Sequence, residues 1–229
     1  MNRLLLVLIL LPAAALGAVR QASPPLELPP AATAKLVQSL DASQAHPSHV
    51  WRDTPPVNQD GTVNGYVEIT RGDRRKWEFS MQANERVIDR MIQPAVGGYP
   101  VNYGFVPQTI SYDGDPFDIL VLGPPLAGGS LVRGVVVGLM LMEDEKGLDS
   151  KVVVSLPGPD GAPRDRLTRS EQRRIGDYFN RYKRNEPGMF SRVAGWGSVT
   201  DGLAHVKATH EFFTQCRDRA GLACRLSGR

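Results

Sequence analysis

The stretch Asp113-Gly114-Asp115-Pro116-Phe117-Asp118 puts three carboxylates into six residues, and the apolar run Ile119–Leu122 follows at once. Gly114 and Pro116 fit a tight turn, so the three acids converge before the chain becomes a buried strand. Like charges that close repel one another. Such a cluster destabilises a fold unless a hard cation sits among the oxygens, and a site without His or Cys suits Mg²⁺, Mn²⁺ or Ca²⁺ rather than zinc. A solvated acidic turn is the plain alternative, and the rest of the chain has to decide between them.

With 229 residues, the chain has room for one sizeable domain plus extensions. Its net charge of +3 is small, with acids and bases interleaved. A nucleic-acid protein held by bulk charge would carry a basic stripe, so no nucleic-acid partner is expected. At the start, Asn2-Arg3, the apolar run Leu4–Leu11 and the small residues up to Ala18 read as a secretory signal over 1–18. The run is too short for a bilayer span of ~20 residues, so no stable membrane anchor is expected and the protein is exported, periplasmic or secreted. In an oxidising compartment Cys216 and Cys224 are either a bridge closing a short loop or two free thiols, since geometry decides.

Residues 19–60 are rich in Pro, Ala and Ser and read as a linker or a surface-packed extension. Ala31 to Ser43 has the spacing of one short helix, with Leu36 and Leu40 on a face and His46-Pro47 ending it. The compact domain, 61–229, opens with short strand-like runs at Val63–Thr70, Lys76–Met81, Arg86–Met91 and Val101–Pro107. Phe117–Leu122, Ser130–Met142 and Lys151–Leu156 continue the series, and Leu131–Met142 reads as a strand buried on both faces. Helical periodicity arrives late. Ser170–Arg184 places Ile175, Phe179 and Tyr182 on one face, a strand Met189–Trp196 follows, and Thr200 or Asp201 caps a last helix carrying Leu203, Val206, His210 and Phe213. The pattern predicts an α+β, mainly β fold: a small closed OB-like β-barrel with two C-terminal helices packed outside.

A second acidic cluster, Glu143-Asp144-Glu145 with Asp149, brackets Gly147 between two strong strands. On its own it is an ordinary soluble loop. Strands ending at one barrel mouth would instead gather Asp113, Asp115, Asp118, Asp144 and Asp149 into a site for more than one divalent ion. Positive charge is set among these acids at Lys76, Arg90, Lys151 and Lys183. Any one of them is by itself a surface residue. Several carboxylates together with several cations, however, are what phosphoryl transfer needs, because its transition state spreads negative charge over equatorial oxygens.

Taken together, the chain resembles a soluble inorganic pyrophosphatase of family I. The matching text is Glu68-Ile69, Lys76-Trp77-Glu78, Val87-Ile88-Asp89-Arg90, the run Asn102–Thr109, the acid turn with its strand, Asp144-Glu145 with Gly147, Asp149 and Lys151, then Tyr182-Lys183 and Val193–Trp196. In order and spacing it covers about residues 61 to 215. Trp77 stands where the family commonly has Tyr, and the segment between Leu156 and Ser170 looks short, which bears on subunit contacts.

The resemblance implies hydrolysis of inorganic diphosphate to two phosphates, with several Mg²⁺ ions per site and Mn²⁺ as a substitute. Asp113, Asp118 and Asp149 would hold one tight ion, Asp118 would be shared with a second, and Asp144 and Asp149 would take a third, with Glu68 completing the outer metal shell. Asp115 would be the general base for a metal-activated water. Lys76, Arg90, Tyr103, Lys151, Tyr182 and Lys183 would grip the phosphates, and Glu78 would order Lys76 or a water. A homo-oligomer is implied as well. Two other readings stay open: a catalytically inactive barrel that binds divalent metal and polyphosphate, and a Ca²⁺-binding structural loop, which the Gly at the second motif position disfavours.

Overall fold

Nine strands and four helices make up the computed structural model, which describes residues 28–157, 164 and 166–217. The strands are β1 Val63–Ile69, β2 Arg75–Ser80, β3 Glu85–Met91, β4 Asn102–Val106, β5 Phe117–Leu122, β6 Leu131–Asp144, β7 Gly147–Leu148, β8 Lys151–Ser155 and β9 Ser191–Gly197. The helices are α1 Pro30–Gln44, α2 Val50–Asp53, α3 Arg169–Phe179 and α4 Val199–Arg217. The expected signal over 1–18 and Cys224 lie outside the described residues, while Cys216 is a buried residue of α4. Among the described residues, no helix is long and apolar enough to cross a membrane.

Seven strands pair in the order β1-β4-β5-β8-β6-β7, with β9 added to β6, and β1 also pairs with β6. Pairing therefore runs from β1 through β4, β5, β8 and β6 and returns to β1. Val63, Ile119, Val121, Leu139, Val152 and Val154 are all buried and form one cluster with Val206 of α4. The strands approach closely where side chains are missing: a Cβ on Gly104 of β4 would lie 1.8 Å from the Tyr66 carbonyl oxygen of β1.

Three expectations change against this frame. First, the early strand-like runs do not all join one sheet: β2 and β3, which carry Lys76 and Glu78, form a two-stranded ribbon separate from the sheet that holds Glu68 on β1. The link between the two is a side chain, because Phe79 N donates to Glu68 Oε1 at 2.7 Å. Second, β6 is buried on both faces only from about Val136 onward; Leu131 is exposed at the end that outruns the core. Third, Ser198 caps α4. Its Oγ accepts from Asp201 N while Asp201 Oδ2 accepts from Ser198 N, and this start turns Leu203 outward and Gly202, Val206, Thr209 and Phe213 inward.

Helix α3 also ends earlier than its periodicity suggests. The Phe179 carbonyl accepts from Ser191 Oγ and Asn180 Oδ1 accepts from Val193 N, so β9 takes up the groups that a longer helix would need. Tyr182 and Lys183 consequently lie in the turns after the helix. Of the two forms expected for the extension, its described part takes the packed one. Pro30 occupies the first position of α1, and Leu28, Ala32, Leu36 and Leu40 bury against Trp51, Phe105 and Phe213. Leu36 is completely buried. Leu36→Ala should therefore cost ~3 kcal/mol of folding stability through the cavity it leaves. Urea unfolding checks this, and a detached linker would show no change.

Candidate active site

The strand ends on one side of the sheet open into a cavity of about 860 Å³. Asp113, Asp115, Asp118, Asp144, Asp149 and Glu68 line it, so the two acidic clusters of the sequence do meet. Local geometry explains how. The turn before β5 is closed by Gly114 N donating to the Ser111 carbonyl at 3.0 Å and Ser111 N donating to the Asp115 carbonyl at 2.6 Å. Gly114 takes φ +83°, a conformation that glycine adopts without strain. Beyond it, β5 and β8 run parallel with Ile119 opposite Val152, which brings Asp118 beside Lys151.

Most acids in the cavity face a cation. Lys151, almost wholly buried, donates to Asp118 Oδ2 at 2.5 Å and to Asp149 Oδ1 at 2.6 Å. Tyr103 Oη donates to the same Asp118 oxygen at 2.6 Å. Lys183 donates to Asp144 Oδ2 at 2.7 Å and to Glu145 Oε1 at 2.8 Å, and Lys146 lies 4.0 Å from Asp113. On the ribbon, Lys76 donates to Glu78 and, at 3.0 Å, to Asp89 Oδ2, while Arg90 donates to Asp89 and to Glu186. Tyr182 lines the cavity too.

The charges remain strained despite these pairs. Burial, then the Asp113 charge, push Asp115 up to about 7. Asp149 is likewise pushed up to about 7, first by burial and, against the pull of Lys151, by Asp118. Burial, followed by Asp118, holds Glu68 well above the usual carboxylate range. For Lys151, burial alone would lower the ammonium, yet Asp118 and Asp149 raise it above the ordinary lysine value. Buried phenols keep their protons, with Tyr103 and Tyr182 both held well above the usual range by burial.

Among the described residues, no three acidic, His or Cys side chains meet closely enough to ligate one ion, because lysines stand between the carboxylates. The donor chemistry nevertheless fits a hard cation. All donors are oxygens, and carboxyl groups held above their normal range are groups short of positive charge.

Every residue expected at the site borders this cavity except Lys151, which lies beneath its floor and reaches two of the lining acids. Several further groups escaped the sequence reading. Asp89 stands at a bulge, where Lys76 faces Arg90 but Trp77 faces Ile88, so simple alternation along β3 misplaces it. Glu145 and Lys146 were visible as part of the acidic loop, whereas Lys35 on α1 left no signal in the sequence, an isolated lysine in a Pro- and Ala-rich segment.

Comparison with known proteins agrees with this geometry. The family model for inorganic pyrophosphatase matches residues 65–214. The inorganic pyrophosphatase of Sulfolobus acidocaldarius is 34% identical over 168 residues, covering 67% of this chain and 92% of that protein. That of Aeropyrum pernix is 37% identical over 163 residues, covering 65% and 88% respectively. Among solved structures, the inorganic pyrophosphatase of Thermus thermophilus superposes with a TM-score of 0.67 at 31% identity, over 73% of this chain and 99% of that one. With every acid and cation expected at the site falling inside the matched region, the chain belongs to the inorganic pyrophosphatase family.

Proposed function

We propose that this inorganic diphosphatase hydrolyses its substrate with Mg²⁺ held by Asp113, Asp118, Asp144 and Asp149, with Glu68 behind them, and that Mn²⁺ serves as a substitute. One observation carries the reading: Glu68, Asp115 and Asp149 all stay above their ordinary range in a cavity that already contains lysines. When bound, the ions supply the charge that lowers the pKa of water and offsets that of the substrate.

The chain's own residues do the rest. Asp115 accepts the proton of the attacking water at a carboxylate oxygen, a role suited to a group near neutrality. Lys76, Arg90, Lys151 and Lys183 donate to phosphate oxygens and hold the two phosphates in line, and Tyr103 and Tyr182, kept protonated, add donors without adding charge. Glu78 and Asp89 keep the Lys76 ammonium aimed into the cavity. Support for the finer architecture comes from the return of pairing to β1, which suits an OB-like barrel. A homo-oligomer fits the β2–β3 ribbon, where Val87, Ile88 and Met91 are exposed. Export rests on the apolar N-terminal run.

Asp115→Asn should keep metal binding and lose ~10²-fold or more in kcat, while Asp118→Asn should also weaken the metal. Phosphate release and calorimetric Mg²⁺ titration of both variants separate base from ligand, and equal loss of metal affinity in the two would abolish the distinction.

A pH dependence follows from the raised acids. A carboxyl raised from 3.8 to about 7 in the fold binds its proton more tightly folded than unfolded. Its contribution to stability is thus full below about pH 4 and lost as pH rises through 7. Bound cations compensate the ionised cluster. Mg²⁺ should accordingly raise Tm more at pH 8 than at pH 5, measured against chelator-treated protein, and an equal rise at both would show that the acids do not bind it.

A further inference from the structure

Helix α1 precedes the matched region, which begins at residue 65, yet it forms part of the active-site wall. Its seat is fixed from two sides. Along one face, Ala32, Leu36 and Leu40 recur every four residues and pack into the cluster around Trp51 and Phe213. On the adjoining face the helix backbone touches the acid turn, where a Cβ on Gly114 would lie 2.4 Å from the Ala32 carbonyl oxygen. The residue before Leu36 is thereby brought to the cavity rather than to open solvent. Lys35 Nζ lies 2.5 Å from Asp115 Oδ2, joining positions eighty residues apart in the chain. Gln38, Ser39 and Asp41 continue the same wall.

We propose that Lys35 is a positioning residue for Asp115, and that α1 is a part of the catalytic apparatus which this chain adds to the family's site. The proposal deepens the reading of Asp115 as the base and rests on it. A carboxylate at the tip of a turn is free to rotate about its last torsion, and that freedom blurs the direction from which it takes a proton. Lys35 donates to Oδ2 and restrains the rotation, which leaves Oδ1 as the oxygen that receives the proton. The half-exposed pair contributes little to folding, so its removal shows in turnover rather than in stability. Sequence comparison restricted to the matched region does not contain this contact, because the donor lies thirty residues before that region begins.

The test uses the full chain carrying Lys35→Met, Lys35→Arg, Asp115→Asn and the Lys35→Met/Asp115→Asn pair, with kcat and KM for diphosphate measured in Mg²⁺. Lys35→Met should lower kcat about tenfold with KM little changed, the size of effect that loss of an orienting partner produces. Lys35→Arg should recover most of the loss, and Lys35→Met should cost nothing further once Asp115 is Asn. A second readout needs no turnover. In metal-free protein, acylation of the Lys35 amine, followed by peptide mass spectrometry, should be faster in Asp115→Asn than in the unaltered chain.

An unchanged kcat in Lys35→Met overturns the proposal, and so does an equal loss in the Asp115→Asn background or an acylation rate indifferent to Asp115. A rise in KM alone also overturns it and makes Lys35 a substrate-binding cation. Should Lys35→Met lower Tm as well, Lys35→Arg, which keeps the charge and the fold, carries the kinetic comparison. Full kcat in Asp115→Asn is a different failure: it removes Asp115 as the base whatever Lys35 does.

Discussion

Ten carboxylates line one cavity of this protein, and their mutual repulsion is the constraint around which the remaining structure is arranged. Unpaired charges so close together would oppose folding. The chain answers with ammonium groups brought from distant elements: buried Lys151 from the start of β8, buried Lys183 from the turn after α3, and half-buried Lys76 from the β2–β3 ribbon. Compensation is incomplete, since Glu68, Asp115 and Asp149 still hold their protons above the ordinary range. A site that stays short of positive charge after its own lysines are counted is one suited to metal cations.

The scaffold explains why this tension is tolerated. Valine and isoleucine pack against the paired strands, and β1, β5 and β6 hold Glu68, Asp118 and Asp144. Asp118 and Lys151 are neighbours in a parallel pair whose register is set by the buried Ile119 and Val152. A slip by one residue would exchange side chains between the two packed faces and separate the charges in the same move. Packing and function therefore share one determinant at this point. On the ribbon the opposite device operates, where a bulge between Lys76 and Trp77 breaks alternation so that both Asp89 and Arg90 border the cavity.

The N-terminal segment changes how the domain is bounded. Leu28, Leu36, Leu40 and Trp51 belong to the same cluster as Tyr66 and Phe105 of the sheet, and Trp51 Nε1 donates to the Thr109 carbonyl at 3.0 Å. This segment is thus continuous with the core although it precedes the region shared with relatives. By carrying Lys35 to the acid turn, it reaches the chemistry as well as the core.

Much was legible before any coordinates. The acid turn, the cations placed among the acids and the hydrophobic periods rest on local spacing, so the strands, the two late helices and the members of the site could be read from residue types alone. Other features depend on contacts that spacing does not encode. Helix α3 stops at Phe179 because Ser191 and Asn180 tie its end to β9; Ser198 caps α4 ahead of the expected position; Asp89 faces the site through a bulge. Lys35 is the sharpest case, an isolated lysine among prolines and alanines whose partner lies eighty residues further on. Residue chemistry by itself determined which groups this protein would gather and why they need cations. Only the tertiary structure decided which cation meets which acid, because long-range packing sets those distances and no local pattern records them.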